Sequence, residues 1–544
     1  MTVRRVPSLA HWGAFNALVE DGRVIGCEPF AKDPAPSAMI DAIPEMVHSP
    51  LRIARPAVRE GWRDGKPRTG HDRFQEVSWD EALDLVAGEL TRVRREHGDT
   101  AIFGGSYGWS SAGRLHHART LVRRFLFQGG GCVDQAGNYS WGAAQFLLPH
   151  VIGTYQPVAG RVTDWPSIVT NTKLMVAFGG LALKNGQVSS GGMGAHVLEH
   201  WLRRAKEAGV RFVVISPLKL DAPDFLDAEW IPIRPNTDAA LMLAMAHTLV
   251  SEGRHDEAFL ARYCVGFDRF KAYLLGADDG VAKDAEWAAA ITGVPAQTIR
   301  ALAREAAATT SMITVAWSLQ RAHHGEQPYW ALIALAAMLG QIGLPGGGYN
   351  YALGTLAHYG RRNNVASITA LSQGSNGVHA FIPVARIADM LLHPGEPFDY
   401  NGKRRPYPHV RLAYWAGGNP FHHHQDLSRL ARAFARLDSF IVHESAWTAT
   451  ARHADVVLPA TLTVEREDMG AAPTDPLMVA MHRVLPPYAQ ARDDYDIFAD
   501  LAQRLGARQA FTEGRDTRQW LAHLYEKTRS ALAAQACDAP DFET

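Results

Sequence analysis

Cysteine is scarce: among 544 residues only Cys27, Cys132, Cys264 and Cys537 occur, far apart and without a C-x-x-C pair. A disulfide framework, a zinc ribbon and a four-cysteine iron–sulfur site need closer or more numerous thiols, so none is encoded. Excess charge is lacking too. Fifty-five basic residues against 56 acidic ones leave a formal charge of −1, which supplies no long-range field toward nucleic acid or an anionic membrane. No apolar run reaches the roughly 20 residues that span a bilayer. The Arg4-Arg5 pair resembles the start of a twin-arginine export signal, but His11, Asn16, Glu20 and Asp21 interrupt the apolar region that such a signal requires. These absences predict a cytoplasmic chain whose ligand is small or locally recognised, with neither nucleic acid nor membrane as partner.

A hydrolase nucleophile is missing as well. In Gly137-Asn-Tyr-Ser-Trp-Gly-Ala-Ala144 the serine sits between two aromatics, yet a nucleophile elbow needs glycine two residues before it, where Asn138 stands. Ser140 is left as a turn or helix-capping residue or a metal ligand. Nor do the 24 histidines assemble with it into a Ser-His-Asp set.

What is present is ordinary globular composition, 47% hydrophobic and 20% charged, in a chain long enough for several domains. Residues 1 to about 50 read as small strands and loops. SWDEALDLVAGELTRVRREHG has Ser78 as N-cap, Glu81 three residues later, an apolar stripe and a closing Gly98, and predicts a helix. TAIFGGS then reads as a strand, SYGWSSAG as a loop, and RLHHARTLVRRFLFQGGG as a second helix. Two further segments are βαβ units. In the first, LMVAFGG leads through a Gly-rich loop to the helix AHVLEHWLRRAKEAG and the strand RFVVISP; in the second, RLAYWAGGNP leads through HHHQD to LSRLARAFARL and SFIVHES. Strand–helix alternation predicts an α/β fold of parallel sheets flanked by helices, with ligands beyond the carboxyl ends of the strands. Both Gly-rich loops fall there. Two such loops suit two nucleotide-like arms, although neither fits G-x-G-x-x-G with its following acid, and glycine equally serves tight turns.

Residues 106–156, with AHWG at 10–13, VSWDEALDL, PNTDAALMLAMAHTLV, HDEAFLARY, AAMLGQIGLPGGG, WAGGNPFHHHQD and ARHADVVLPAT, run in an order that resembles the molybdenum oxidoreductases of the dimethyl sulfoxide reductase family. Within it the resemblance is to the serine-ligated branch, which contains dimethyl sulfoxide, trimethylamine N-oxide and biotin sulfoxide reductases. The resemblance implies bis-(molybdopterin guanine dinucleotide) with molybdenum, no iron–sulfur cluster, and an external electron donor, protein or reductant. The implied reaction is oxygen-atom transfer from a small sulfoxide of the biotin sulfoxide or methionine sulfoxide type. Reduction of dimethyl sulfoxide or trimethylamine N-oxide, or a truncated, inactive or metal-free chain, are the alternatives.

By the same resemblance Ser140 is the metal ligand, a hard oxygen donor against soft dithiolene sulfurs. Tyr107 and Trp109 are catalytic donors to the transferred oxygen, the tyrosine favouring sulfoxide over N-oxide. Trp109, Lys184, Ser216, Asp238, Trp317, Leu319, Arg321, Gly417, Gly418, Asn419, His423, Gln425, Glu444, Arg466 and Asp493 fall at cofactor-binding positions. The last three are weaker matches, each by itself more often a surface ion pair or a cap, and His422, His423 and His424 leave zinc as a lesser alternative. GGLALKNGQ and Ser216-Pro217 depart from the family's Asn-Pro or Asp-Pro strand ends. The expected division is a small β-rich domain at 1–50, an α/β domain at 51–164 carrying the metal ligand, a nucleotide-binding α/β domain at 165–385, the second part of the first α/β domain at 386–535 with its own nucleotide loop, and a tail at 536–544. The family's C-terminal β-barrel domain has no counterpart before Thr544.

Overall fold

The helix Trp79–His97 shows why sequence and structure agree where local signals are strong. Ser78 Oγ accepts from Glu81 N at 3.2 Å, Gly98 closes the helix at φ 78°, and Trp79, Leu83, Val86, Leu90 and Val93 are buried along one face. The structure, a computed structural model, describes residues 2–109, 112–160 and 162–544. These fold into two compact units, one built from the residues up to Asn138, Ser189–Ala195 and Asn363–Thr544, the other from Tyr139–Val188 and His196–Arg362.

The first unit is organised on a six-stranded sheet in the order Phe74–Glu76, Ala57–Arg59, Val456–Pro459, Ser439–Glu444, Leu412–Ala416 and Ile102–Gly105. The last four run parallel, and Ala57–Arg59 pairs antiparallel with both Val456–Pro459 and the edge strand Phe74–Glu76. Ile102–Gly105 and Leu412–Ala416 are buried throughout and read as continuous apolar runs, as strands covered on both faces do. The expected βαβ unit holds: Leu427–Phe434 is the crossover helix between parallel Leu412–Ala416 and Ser439–Glu444. Arg4–Ala10, Gly13–Glu20 and Arg23–Pro29 form a separate antiparallel sheet. Too small to bury itself, its cluster of Val6, Phe15, Ala17, Val19 and Val24 is completed by Ile40, Ile43 and Val47 and by the distant Val464, Val484 and Leu485.

The second unit carries a five-stranded, wholly parallel sheet in the order Glu229–Ile231, Arg211–Ile215, Leu174–Phe178, Ser311–Val315 and Gly348–Tyr351. The earliest strand in the sequence, Leu174–Phe178, lies at its centre, so the winding reverses between it and Ser311–Val315. That is the topological switch point at which open α/β sheets bind ligands.

Two helices begin later than their sequence pattern predicts. The segment from Arg114 becomes helical only at Ala118, because the Asp468 carboxylate accepts the backbone N–H groups of Arg114, Leu115 and His116 at 2.9, 3.0 and 2.9 Å. The segment from Ala195 becomes helical at Leu198, its first amides being taken by Asp475. Among the described residues no helix is long and apolar enough to cross a membrane.

Candidate cofactor and active site

In the first unit the loops leaving Ile102–Gly105 and Leu412–Ala416 touch, because their strands are parallel neighbours. Tyr107 N donates to Gly417 O at 3.1 Å, and Ser106 Oγ donates to the same carbonyl at 3.3 Å. Trp415 Nε1 donates to the carbonyls of Gly417 and Gly418 at 3.1 and 3.0 Å. Gly418 has φ +79°, and a Cβ there would stand 2.7 Å from Tyr107 Cβ, so only glycine brings the two loops this close. The Tyr107 ring meets both Trp415 and His423 edge-on at 4.9 Å. Trp109, 37% exposed, tilts against His11 with ring centroids 5.6 Å apart. Ser110 and Ser111 of the expected loop lie outside the described residues.

His422 and His423 are exposed on the short helix Pro420–His423, whereas His424 is buried and held neutral, its pKa pressed down to about 4 by desolvation and then by His423. Among the described residues no three His, Cys, Asp or Glu side chains are placed to hold a metal. Asn419 Oδ1 accepts from Thr450 Oγ1, and Gln425 is exposed just before the Asp426 cap.

Glu444 ends the next strand and accepts from Ser445 N at 2.9 Å and Thr448 Oγ1 at 3.1 Å. Desolvation outweighs both bonds and, with Asp494 nearby, pushes its carboxyl up to about 7. Arg466 and Asp493 are joined through one residue: Arg466 Nη1 donates to Thr461 O at 3.0 Å, and Thr461 Oγ1 donates to Asp493 Oδ1 at 2.7 Å. Thr461 carries no signal in the sequence.

In the second unit Ser140 is half-buried in the turn before the helix Gly142–Ile152. It does not cap that helix; Trp141 holds the cap position and makes no side-chain cap bond. Gln320 does that work instead. Its Oε1 accepts from Ala144 N at 3.1 Å, and its Nε2 donates to Ser140 O at 3.0 Å and to Tyr329 Oη at 3.1 Å. Arg321 Nε donates to Tyr139 O at 3.0 Å. The backbone around Ser140 is thus tied to the segment Trp317–Gln320 at the switch point, while Ser140 Oγ makes no hydrogen bond among the described residues.

Trp317 packs against Trp141 and Tyr359 at 6.4 and 5.5 Å. Leu319 covers Gly179, where a Cβ would lie 2.5 Å from its Cδ1. Lys184 is exposed on Leu183–Gln187, and Ser216 Oγ donates to Asp221 Oδ2 at 2.5 Å. Asp238 opens the helix Asp238–Ser251 at 6% exposure; burial pushes its carboxyl up to about 6 against a bond from its own amide. Tyr107, Lys184, Ser216, Trp317, Leu319, Arg321, Gly417, Gly418 and Asn419 thus lie on segments that follow the carboxyl ends of parallel strands.

A family model described as molybdopterin oxidoreductase matches residues 52–504, and one described as molybdopterin oxidoreductase N-terminal domain matches residues 8–48. Biotin sulfoxide reductase of Cereibacter sphaeroides is 49% identical over 96% of this chain and 71% of its own length. Dimethyl sulfoxide/trimethylamine N-oxide reductase of the same organism is 45% identical over 99% and 67%, and trimethylamine-N-oxide reductase of Haemophilus influenzae 42% over 99% and 68%. Among solved structures, acetylene hydratase from Pelobacter acetylenicus superposes with a TM-score of 0.63 at 17% identity, covering 99% of this chain and 73% of that one, a likeness of fold. The chain belongs to the molybdopterin oxidoreductase family. Its cofactor is accordingly molybdenum with molybdopterin.

The residues present fit that group. Asp238 is a buried acid on which no cation acts among the described residues, as the N–H edge of a guanine requires, and the Asp493–Thr461–Arg466 set joins an acid and a cation through Thr461. A single hydroxyl, with no cluster of His, Cys, Asp or Glu ligands among the described residues, suits a metal whose remaining donors come from the pterin.

Proposed function

We propose that this chain reduces sulfoxides of the biotin sulfoxide or methionine sulfoxide type to sulfides, using a bis-(molybdopterin guanine dinucleotide) form of the cofactor and no iron–sulfur cluster. The observation that carries the reading is the pair of donors Tyr107 and Trp109, on the loop beyond Ile102–Gly105, in a chain 49% identical to a biotin sulfoxide reductase. The balance is sulfoxide plus two electrons and two protons giving sulfide and water, the electrons coming from an external donor protein or reductant. When bound, the cofactor supplies the two-electron exchange that breaks the S–O bond.

The chain's own residues hold the reacting atoms. Ser140 Oγ is the protein ligand to the metal; its hydroxyl ionises only beside such a charge. Trp109 Nε1 and Tyr107 Oη donate to the sulfoxide oxygen and orient it, indole and phenol being donors that do not compete as ligands. Asp238 in one unit, and Gly417, Gly418, Asn419, His423 and Gln425 with Arg466 and Asp493 in the other, serve the two guanosine arms. Lys184, Ser216, Trp317, Leu319, Arg321 and Glu444 complete the cofactor contacts. The five-part division from 1–50 to 536–544 belongs to the same reading, as does a cytoplasmic location, supported by four free cysteines. Reduction of dimethyl sulfoxide or trimethylamine N-oxide is the second reading, favoured by the relative at 45% identity.

Chain expressed with ample molybdate should carry about one Mo and oxidise a reduced viologen dye when given biotin or methionine sulfoxide. Ser140→Ala should abolish turnover while leaving the melting temperature close to wild type. Full activity in that variant, or molybdenum-free wild-type protein, would refute the assignment.

A further inference from the structure

Two half-buried arginines, Arg114 and Arg119, follow Trp109 in the chain. Arg114 and Arg119 form no ion pair among the described residues, and the Nε of each is buried without a hydrogen-bond partner. Asp468, the acid acting on Arg114, spends its carboxylate on the backbone amides of Arg114, Leu115, His116 and Met469. Asp134, the acid acting on Arg119, pairs with Arg123 at 2.7 Å.

Both side chains rest on glycine backbone, Arg119 by its stem and Arg114 by its guanidinium. A Cβ at Gly108, the residue before Trp109, would lie 3.3 Å from Arg119 Cδ, and one at Gly191 would lie 2.3 Å from an Arg114 Nη. Gly191 belongs to the segment whose Ser189 N donates to His11 O at 3.0 Å, and the His11 ring packs on Trp109. The basic groups share one environment. Burial, then the charges of Arg119, His11 and Arg114, press His117 down to about 4 against a bond from the Gly108 backbone, and burial lowers Arg119 to about 10. On the segments around His11 and Ser189, which the Ser189 N to His11 O bond joins, Ser8 Oγ, Trp12 Nε1 and Ser189 Oγ are likewise buried without a partner among the described residues.

A guanidinium N–H buried without an acceptor is costly, and an anion that accepts from it removes the cost. The planar fork of arginine matches a carboxylate bidentately. We propose that Arg114 and Arg119 form a carboxylate-binding subsite beside Trp109 that selects sulfoxides bearing an acidic tail. This rests on the sulfoxide reductase reading: Trp109 holds the S–O oxygen, and a flexible aliphatic chain carries the carboxylate to the guanidinium groups. A phosphate of the cofactor shares the oxyanion chemistry, and the test separates the two sources.

Molybdenum-loaded wild type, Arg114→Gln and Arg119→Gln are compared on biotin sulfoxide and on its methyl ester, which keeps the sulfoxide and loses the charge. Each variant should raise KM for the acid about tenfold, the scale of one hydrogen bond to a charged group. KM for the ester and the molybdenum content should be unchanged, and Arg119→Lys should recover part of the loss. Calorimetric binding of biotin, the product acid, should weaken in parallel. Equal shifts for acid and ester overturn the subsite, and molybdenum loss in the variants assigns the arginines to the cofactor instead. Wild type that turns over neither compound refutes the function, whereas biotin binding that persists in both variants refutes the subsite alone.

Discussion

Gln320 illustrates what single residues hide. In Trp-Ser-Leu-Gln-Arg321 it is one polar residue in a short segment with no periodicity to read, and its partners Ser140 and Ala144 lie some 180 positions away. Ser140 itself is singled out by the failed elbow and by the resemblance of the segment 106–156 around it. The support beneath it is not, since a side-chain amide bonding distant backbone leaves no trace in composition or spacing. Gln320→Leu removes one acceptor and two donors at nearly constant volume, leaving Ser140 O and Ala144 N unsatisfied. The unfolding free energy should fall by about 2–4 kcal/mol, the cost of orphaning buried polar groups. Amide exchange at Ala144 should rise sharply, while Ser140→Ala, which keeps these bonds, should leave that amide protected. Equal protection in the two variants would show that Gln320 does not hold the turn.

At the scale of elements, what was legible is what local chemistry settles. The caps at Ser78 and Gly98, the apolar runs of the parallel strands and the glycines after them all lie where the sequence predicts. Helix starts after the SYGWSSAG loop and after Gly194 were misjudged because a distant acid outbids the helix for its first amides. Asp468 shows the size of this effect: it accepts from four backbone amides, those of Arg114, Leu115, His116 and Met469. It also crowds Gly113, where a Cβ would fall 1.7 Å from its Oδ2. Asp468→Ala should therefore cost more than loss of an ordinary helix cap, which is about 1 kcal/mol; a loss of about 3 kcal/mol is expected from the charge-assisted bonds. Gly113→Ala should be similarly destabilising through steric exclusion. Urea unfolding of both variants measures this, and a loss at the level of Ser78→Ala for either would contradict the account.

Over the whole chain, the buried ionisable groups pull stability in opposite directions with pH, and their signs can be separated. Glu444 in one unit rises from 4.5 to about 7, and Asp238 in the other from 3.8 to about 6, both chiefly through desolvation. A carboxyl raised on folding keeps its proton longer in the native state. Its contribution is complete below the unfolded value and is lost as pH climbs through the folded one. His117, His358 and His424 are lowered from 6.5 to about 4 by burial, so the unfolded chain takes up their protons first and stability is lost as pH falls from 6.5 towards 4. The acids weaken the fold over the same interval in which the histidines strengthen it, and a single melting profile would blend the two. Substitution isolates one. Glu444→Gln, like the protonated acid, keeps an acceptor for Ser445 N and turns a donor toward Thr448 Oγ1, but cannot ionise. Relative to that variant, cofactor-free wild type should lose melting temperature steadily from pH 4.5 to 7 and then hold a constant offset. A difference that stays flat across that window, or grows as the solution is acidified, would mean that the Glu444 carboxyl is not held protonated by its burial.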